Sequence, residues 1–376
     1  MTKKKKILLV SNGFFPEISP RSYRVTELAK EFCRQGHDVT VISKYRDHDY
    51  SDFLQQCPIK LKMWKKSILK PVPSSSKGIG SILNSVITRA MLMLFEYPAI
   101  EDMFRVKKML RNEEGYDLLI SFAVPHPVHW GVAWARTKKH RIARIWIADC
   151  GDPYMGDVLD TYRKLFYFGY LEKWFGRKSD YIAIPIASAI DAYYPEFKNK
   201  IKIISQGFQF DLKTNTTALQ KNTEPTFAYA GGFIPGVRDP QPLLDYLSTL
   251  DRPFKFLIYT NSDEILNKYK EVLKGKMIVS SYIPRNELME ILQTMDFLVN
   301  FDNNTQLNSP SKLIDYAIVN RPVLNIGRDF NEQNILSFIE GDYSGAMRLP
   351  EPSQFHISNV SKQFIDLIRV QAPSNE

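Results

Sequence analysis

Cysteine is scarce: the chain of 376 residues has three, Cys33, Cys57 and Cys150. Their odd number and lack of metal-ligand spacing exclude a disulfide framework and a paired-cysteine metal site, and point to a reducing compartment. Long apolar runs are missing as well. The nearest, SILNSVITRAMLMLF from Ser81 to Phe95, contains Arg89 and is too short for a membrane span. The start, MTKKKKILLV, is basic and then apolar. Its apolar part is too short for a signal-peptide core and turns at once into SNGFFP, so it reads as a solvated lysine leader and a buried first strand. No nucleophile elbow, low-complexity segment or nucleic-acid-binding motif is present. A cytoplasmic globular protein with no nucleic-acid partner is the expectation.

What remains is an ordinary globular composition, 44% hydrophobic and 24% charged, at a length natural for two domains. The net charge of +9 suits a phosphorylated ligand or an anionic membrane surface. Buried-strand runs (KILLVS, DVTVIS, DLLISF, ARIWIAD) alternate with helical periodicity, for example Arg21 to Gln35. A β-α-β order of this kind predicts a parallel sheet covered on both faces. After Gly207 the stretch LKTNTTALQKNTEP is polar and aperiodic, a linker, and the pattern then restarts at TFAYAG. The predicted fold class is α/β, with two Rossmann-like doubly wound domains facing a central cleft. The first spans 1–208, the second 209–354, and a final helix within about 355–376 packs back on the first. Ligands in such sheets sit beyond the carboxyl ends of the strands. Lys60 to Phe104 fits least well. It reads as a surface excursion with a helix on the core, or as a basic amphipathic patch that touches a membrane.

Two stretches carry the candidate chemistry. In SPSKLIDYAIVNRPVL, Ser309 can cap a helix, Pro310 suits its first turn, and Leu313, Ile314, Ala317 and Ile318 form an apolar face. A lysine, Lys312, at that helix start opposes the helix dipole. The free N–H groups of Ser311 and Lys312 together with the lysine would suit a phosphate. Asp315, one turn on, could accept hydrogen bonds from two vicinal hydroxyls. A capped helix with a surface Lys312–Asp315 pair accounts for the same residues. The second stretch, YAGGFIPGVRDPQPLLDYL, is strand, glycine-rich turn, arginine, helix. Gly231 and Gly232 allow close backbone approach, and Arg238 adds a second cation at a strand end, which is what a pyrophosphate needs. His126 and His129 follow a strand in PHPVH, as packing histidines or as site residues. Asp149 and Asp152 follow another, to cap a helix or to orient an acceptor hydroxyl. Asp47-His48-Asp49 has the acid-x-acid form of a metal site, a pattern common by chance.

These residues also carry a resemblance. The second half resembles the C-terminal domain of GT-B glycosyltransferases, close to the large retaining family 4. The resemblance implies that Ser309, Pro310, Ser311, Lys312 and Arg238, with Gly231 and Gly232, meet the diphosphate of a nucleotide-sugar donor. It implies that Asp315 meets the ribose and that the backbone at Tyr282-Ile283 cradles the base. The first half is similar to the same family over SNGFFPEISPRSYRVTELAKEFCRQGHDVTVIS, IISQGF and the stretch from SFAVPHP to CGDPYMGD. That implies an acceptor side at Asn12, Gly13, Arg21, Ser22, Arg24, Asp149 and Asp152, with His126 and His129 beside the donor sugar. It further implies a retaining transfer from a UDP-sugar to a polysaccharide or lipid-linked oligosaccharide, with no metal or other cofactor; the lysine-rich segment and the Ser81 to Phe95 stretch add the expectation of peripheral contact at an anionic membrane. Catalytic roles fall to His126, His129, Arg238 and Lys312. Three departures stand out. Leu307 lies where many relatives carry the first acid of Glu-x7-Glu, leaving Asn303, Asn304 or Asn308 for that contact. Ser19-Pro20-Arg21-Ser22 replaces a Gly-Gly pair, and Gly151 replaces an arginine. A sugar-nucleotide epimerase of the same fold and an inactive partner protein are the alternatives.

Overall fold

The computed structural model describes residues 3–69, 79–156, 164–210, 222–261, 264–302, 312–327 and 329–370. Most of the linker, the stretch from Asn303 to Ser311, and most of KPVPSSSKGIG lie outside the described residues. The chain divides into two compact units, Met1–Gln209 with Gln354–Glu376, and Phe210–Ser353.

In the first unit the order is β1 (Lys6–Ser11), α1 (Pro20–Arg34), β2 (Asp38–Lys44), α2 (Ser51–Gln56), β3 (Lys60–Trp64), α3 (Ile79–Phe95) and α4 (Ile100–Met109). It continues with β4 (Tyr116–Ala123), α5 (Pro127–Ala135), β5 (Ala143–Cys150), α6 (Phe168–Lys178), β6 (Tyr181–Ile184) and β7 (Ile201–Ile203). The strands form one parallel sheet in the order β3-β2-β1-β4-β5-β6-β7. Its inner strands are apolar without alternation because side chains on both faces are covered, Ile7, Leu9 and Ile120 on one side, Leu8, Val10 and Leu119 on the other.

In the second unit β8 (Thr226–Ala230), α7 (Gln241–Thr249), β9 (Lys255–Tyr259), β10 (Met277–Ser280), α8 (Arg285–Gln293), β11 (Phe297–Phe301), α9 (Lys312–Val319), β12 (Val323–Ile326) and α10 (Glu332–Glu340) follow one another. Five parallel strands run β10-β9-β8-β11-β12. The doubly wound α/β class read from the alternation is therefore the observed one, twice over.

The last helix, α11 (Ile357–Val370), belongs to the first unit. Ile357, Val360, Phe364, Ile365 and Ile368 complete the core layer that contains Val25, Leu28 and Phe32 of α1. Ile368 is 1% exposed, so Ile368→Val is expected to cost about 0.5–1.5 kcal/mol in a urea titration. A change within error would place this helix outside the core.

In the segment Lys60 to Phe104 the structure has the expected helical stretches and corrects one point, its start. KLKMW is the edge strand β3, paired in register with β2 from Thr40↔Lys60 to Lys44↔Trp64. Its lysines lie toward solvent while Trp64 is buried, which suits an edge. Between β9 and β10 the described chain makes a 3₁₀ turn, Glu264–Tyr269.

Each sheet reverses its winding once, between β1 and β4 and between β8 and β11. In folds of this kind loops leaving such strands part in opposite directions, and ligands bind in the crevice between them.

Candidate functional site

At the reversal in the second unit, the two sequence stretches come together. β8 is followed by Gly231, whose φ of +155° and the 2.9 Å approach of the Tyr229 hydroxyl to a would-be Cβ leave room for glycine alone. The turn then folds on itself, with the Arg238 N–H donating to the Ile234 carbonyl at 2.8 Å. Tyr316, from α9, pins the crevice: its hydroxyl donates to the Val299 carbonyl at 3.0 Å and accepts from the Ala230 N–H at 3.3 Å.

Lys312 opens α9 and lies over the Tyr229 ring, Nζ 4.3 Å from the centroid. That Nζ is buried without a hydrogen-bond acceptor, and so is the Nε of Arg238. Burial, and then the Arg238 charge, push the Lys312 ammonium down to about 7, with Asp302 opposing. Two cations thus stand near each other, each with one donor nitrogen that is buried and has no acceptor among the described residues.

Asp315 does not pair with Lys312. Arg285, the first residue of α8, donates to its Oδ1 from Nε at 2.8 Å and from Nη2 at 2.5 Å. Burial raises the Asp315 carboxyl while Arg285 holds it down. The surface Lys312–Asp315 pair considered from sequence is therefore replaced by two separate arrangements. Tyr282 lies in the loop before α8, half exposed, its N–H donating to the Asn261 Oδ1 at 3.2 Å, with Ile283 beside it. Gly232 contributes its carbonyl to the Tyr229 hydroxyl at 2.9 Å. Ser309, Pro310 and Ser311 lie outside the described residues.

In the first unit the proposed acceptor residues divide. Asn12 and Gly13 leave β1 at its reversal point; the Asn12 side chain donates to Asp102 at 2.5 Å, and the Gly13 N–H donates to the Ser11 Oγ at 3.2 Å. Ser22 is spent on the start of α1, its N–H donating to the Ser19 Oγ at 3.2 Å and its Oγ accepting from the Ser19 N–H at 3.1 Å. Arg24 and Asp149 are each 2% exposed in their side chains and form a buried ion pair. Arg24 Nε reaches both Asp149 oxygens at 2.9 Å, Nη2 reaches Oδ2 at 2.7 Å, and the remaining donors go to the Ser205 and Ile204 carbonyls. This pair ties α1 to the sheet and offers no free face to an acceptor. Arg21, 3.4 Å from Asp149, is the more open cation, and Asp152 is half-buried. Gly151 makes room for Arg21: a Cβ there would lie 1.4 Å from Nη2.

The two histidines also divide. His129 is fully buried, Nδ1 at 2.8 Å from the Ser121 Oγ and Nε2 at 3.5 Å from the Cys150 Sγ. Burial drives its imidazolium down to about 3, so it is a neutral support under the end of β5. His126 packs on Tyr154 at 4.4 Å and keeps an unpartnered Nε2, and burial likewise favours its neutral form. Asp49 uses its carboxylate on Ser51, from the N–H at 2.9 Å and the Oγ at 2.6 Å, while His48 packs against Phe15 and Tyr50. Among the described residues no group of three or more His, Cys, Asp or Glu side chains is placed to hold a metal ion.

Sequence reading missed Arg285 and Tyr316. Arg285 had a signal: a cation at a helix start, against the dipole, as at Lys312.

No protein-family model and no curated protein matches the chain in sequence. Solved structures do match in shape. A glycosyltransferase from Rickettsia africae shares 14% identity, covers 98% of this chain and 100% of its own, and superposes with a TM-score of 0.58. Anabaena HepE in complex with UDP and glucose does so at 10% identity, 97% and 100% coverage and a TM-score of 0.57. The lipopolysaccharide outer core galactosyltransferase WaaB does so at 12%, 97%, 99% and 0.57.

The chain has the GT-B fold.

In this GT-B chain, both sheets carry their candidate side chains at a winding reversal. Lys312 and Arg238 follow β11 and β8, and Asn12 and His126 follow β1 and β4.

Proposed function

We propose that the protein is a glycosyltransferase that moves a sugar from a UDP-linked donor to a polysaccharide or lipid-linked oligosaccharide, with retention at the anomeric carbon. The observation that carries this reading is at the winding reversal of the second unit, where the Lys312 Nζ and the Arg238 Nε are both buried without a hydrogen-bond acceptor. A diphosphate supplies the anion the pair lacks. As the sugar–phosphate bond breaks, negative charge grows on the leaving diphosphate, and preorganised donors are worth more there than in the bound substrate. Asp315 takes the ribose hydroxyls, and the Tyr282-Ile283 backbone lies against the base. The fold supports the reading by analogy, since HepE was solved with UDP and glucose.

The acceptor falls to the first unit, with Arg21, Asn12 and Asp152 as the residues open enough to meet it. Exposed Phe95, Phe104, Phe166 and Tyr170 on the same unit, together with the net charge of +9, suit peripheral contact with an anionic membrane. No helix of the described residues is long and apolar enough to cross one.

The test is turnover of UDP-sugars with and without a membrane extract as acceptor, in the presence and absence of EDTA. Release of UDP that requires the extract and survives EDTA is expected, because protein cations meet the diphosphate. Turnover without acceptor would indicate an epimerase. Loss on chelation with rescue by Mn²⁺ would replace the Lys312–Arg238 mechanism by a metal-dependent one.

A further inference from the structure

Arg285 grips Asp315 in an unusual way. An arginine facing a carboxylate commonly spreads its donors over both oxygens. Here Nε and Nη2 both converge on Oδ1, and Oδ2 has no hydrogen-bond partner among the described residues. The Asp315 side chain is 18% exposed, so the carboxylate is not sealed from solvent. Arg285 pays for this position: it stands at the first turn of α8, where the helix dipole disfavours a cation, after Pro284, which supplies no side-chain cap. It also ends the loop that holds Tyr282 and Ile283, so one side chain links that loop to α9.

We propose that Arg285 is a positioning residue for ribose recognition: it fixes Asp315 by one oxygen so that the other, Oδ2, is aimed at vicinal hydroxyls, and thereby sets the preference for a ribonucleotide over a deoxyribonucleotide donor. The inference rests on the donor-site reading above. Its physical basis is twofold. A carboxylate held through Oδ1 cannot rotate, so Oδ2 points one way. Burial also favours the protonated acid, which Arg285 counteracts, keeping the group an acceptor for hydroxyl donors.

The experiment is calorimetric titration of the full chain with UDP, 2′-deoxy-UDP and inorganic pyrophosphate. Wild type is expected to prefer UDP over the deoxy form on the order of tenfold, the scale of one lost hydrogen bond to a charged group. Arg285→Ala is expected to reduce that ratio to within about threefold of unity while leaving pyrophosphate binding unchanged. A general loosening would weaken all three ligands together and leave the ratio intact. Arg285→Gln, smaller in perturbation and without the charge, gives the same collapse if Ala does not fold. Retention of the wild-type ratio in either variant overturns the proposal. So does weakening of pyrophosphate as large as that of UDP, which would mean that Arg285 meets phosphate. A wild-type protein that binds UDP and its deoxy form equally overturns this inference and leaves the donor site standing. A wild-type protein that binds neither nucleotide nor pyrophosphate overturns both.

Discussion

Lys312→Met is expected to lower kcat by roughly 30- to 1000-fold, about 2–4 kcal/mol in barrier, and at the same time to raise the melting temperature near neutral pH. The two effects have one cause. Lys312 is held in a buried site beside Arg238, its Nζ without an acceptor, and the Tyr229 ring offsets only about 0.5–2 kcal/mol of that cost. The free protein carries the penalty, and the diphosphate relieves it. Methionine keeps the stem and removes the charge, so the apo protein gains what the reaction loses. The sign with pH follows from a folded-state value of about 7 against an ordinary 10.5. Between those values the unfolded chain binds the proton more readily, so wild-type stability rises with pH across that window. Below about 7 both states are protonated and the penalty is complete. The stability gain of Lys312→Met is therefore largest at and below pH 7, and it fades toward pH 10.5. A dianionic ligand draws the proton back onto Lys312, so donor affinity in wild type should fall as pH rises above 7, while the variant shows no such fall. Thermal melts and donor kcat and KM over pH 6 to 9 check both halves. A variant with wild-type kcat and a lower melting temperature would mean that the lysine is structural.

Arg24→Met is expected to cost about 3–5 kcal/mol, because it leaves the Asp149 carboxylate buried without its partner. Arg21, on a more open side chain, already makes one long contact to Asp149 at 3.4 Å, which does not make up for the three shorter ones that are lost. The double change Arg24→Met with Asp149→Leu should recover most of the loss, since an apolar pair of similar volume needs no counter-charge. Urea titrations of the two single variants and the double variant close the cycle. If Arg24→Met folded as well as wild type and merely weakened acceptor use, the pair would belong to the acceptor site that the sequence resemblance implied.

The fold was legible where burial is symmetric. Strands such as KILLVS and DLLISF are apolar on both faces, and their alternation with amphipathic helices specifies a covered parallel sheet. KLKMW was not legible, because an edge strand with lysines toward solvent looks like a charged surface run. Arg24 illustrates a different blind spot. It occupies the buried stripe of α1 with Leu28 and Glu31, at the spacing of a core face, but a charge there points to a partner without naming it. Asp149 lies 125 residues away, and that pairing is set by tertiary structure. The candidate site was legible as two basic stretches at strand ends. Its electrostatics were not: that Lys312 faces Tyr229 and Arg238 rather than Asp315, and that Asp315 answers to Arg285, depends on which loops the winding reversal brings together.

The central claim is that the second unit binds a nucleoside diphosphate through Lys312 and Asp315. Calorimetric titration of UDP into wild type, Lys312→Met and Asp315→Ala tests it most directly. Saturable binding is expected in wild type, weakened by roughly 1.5–3 kcal/mol in Asp315→Ala and by at least as much in Lys312→Met, with neither variant unfolded. Equal UDP binding in all three proteins, or no binding in wild type at saturating nucleotide, would contradict it.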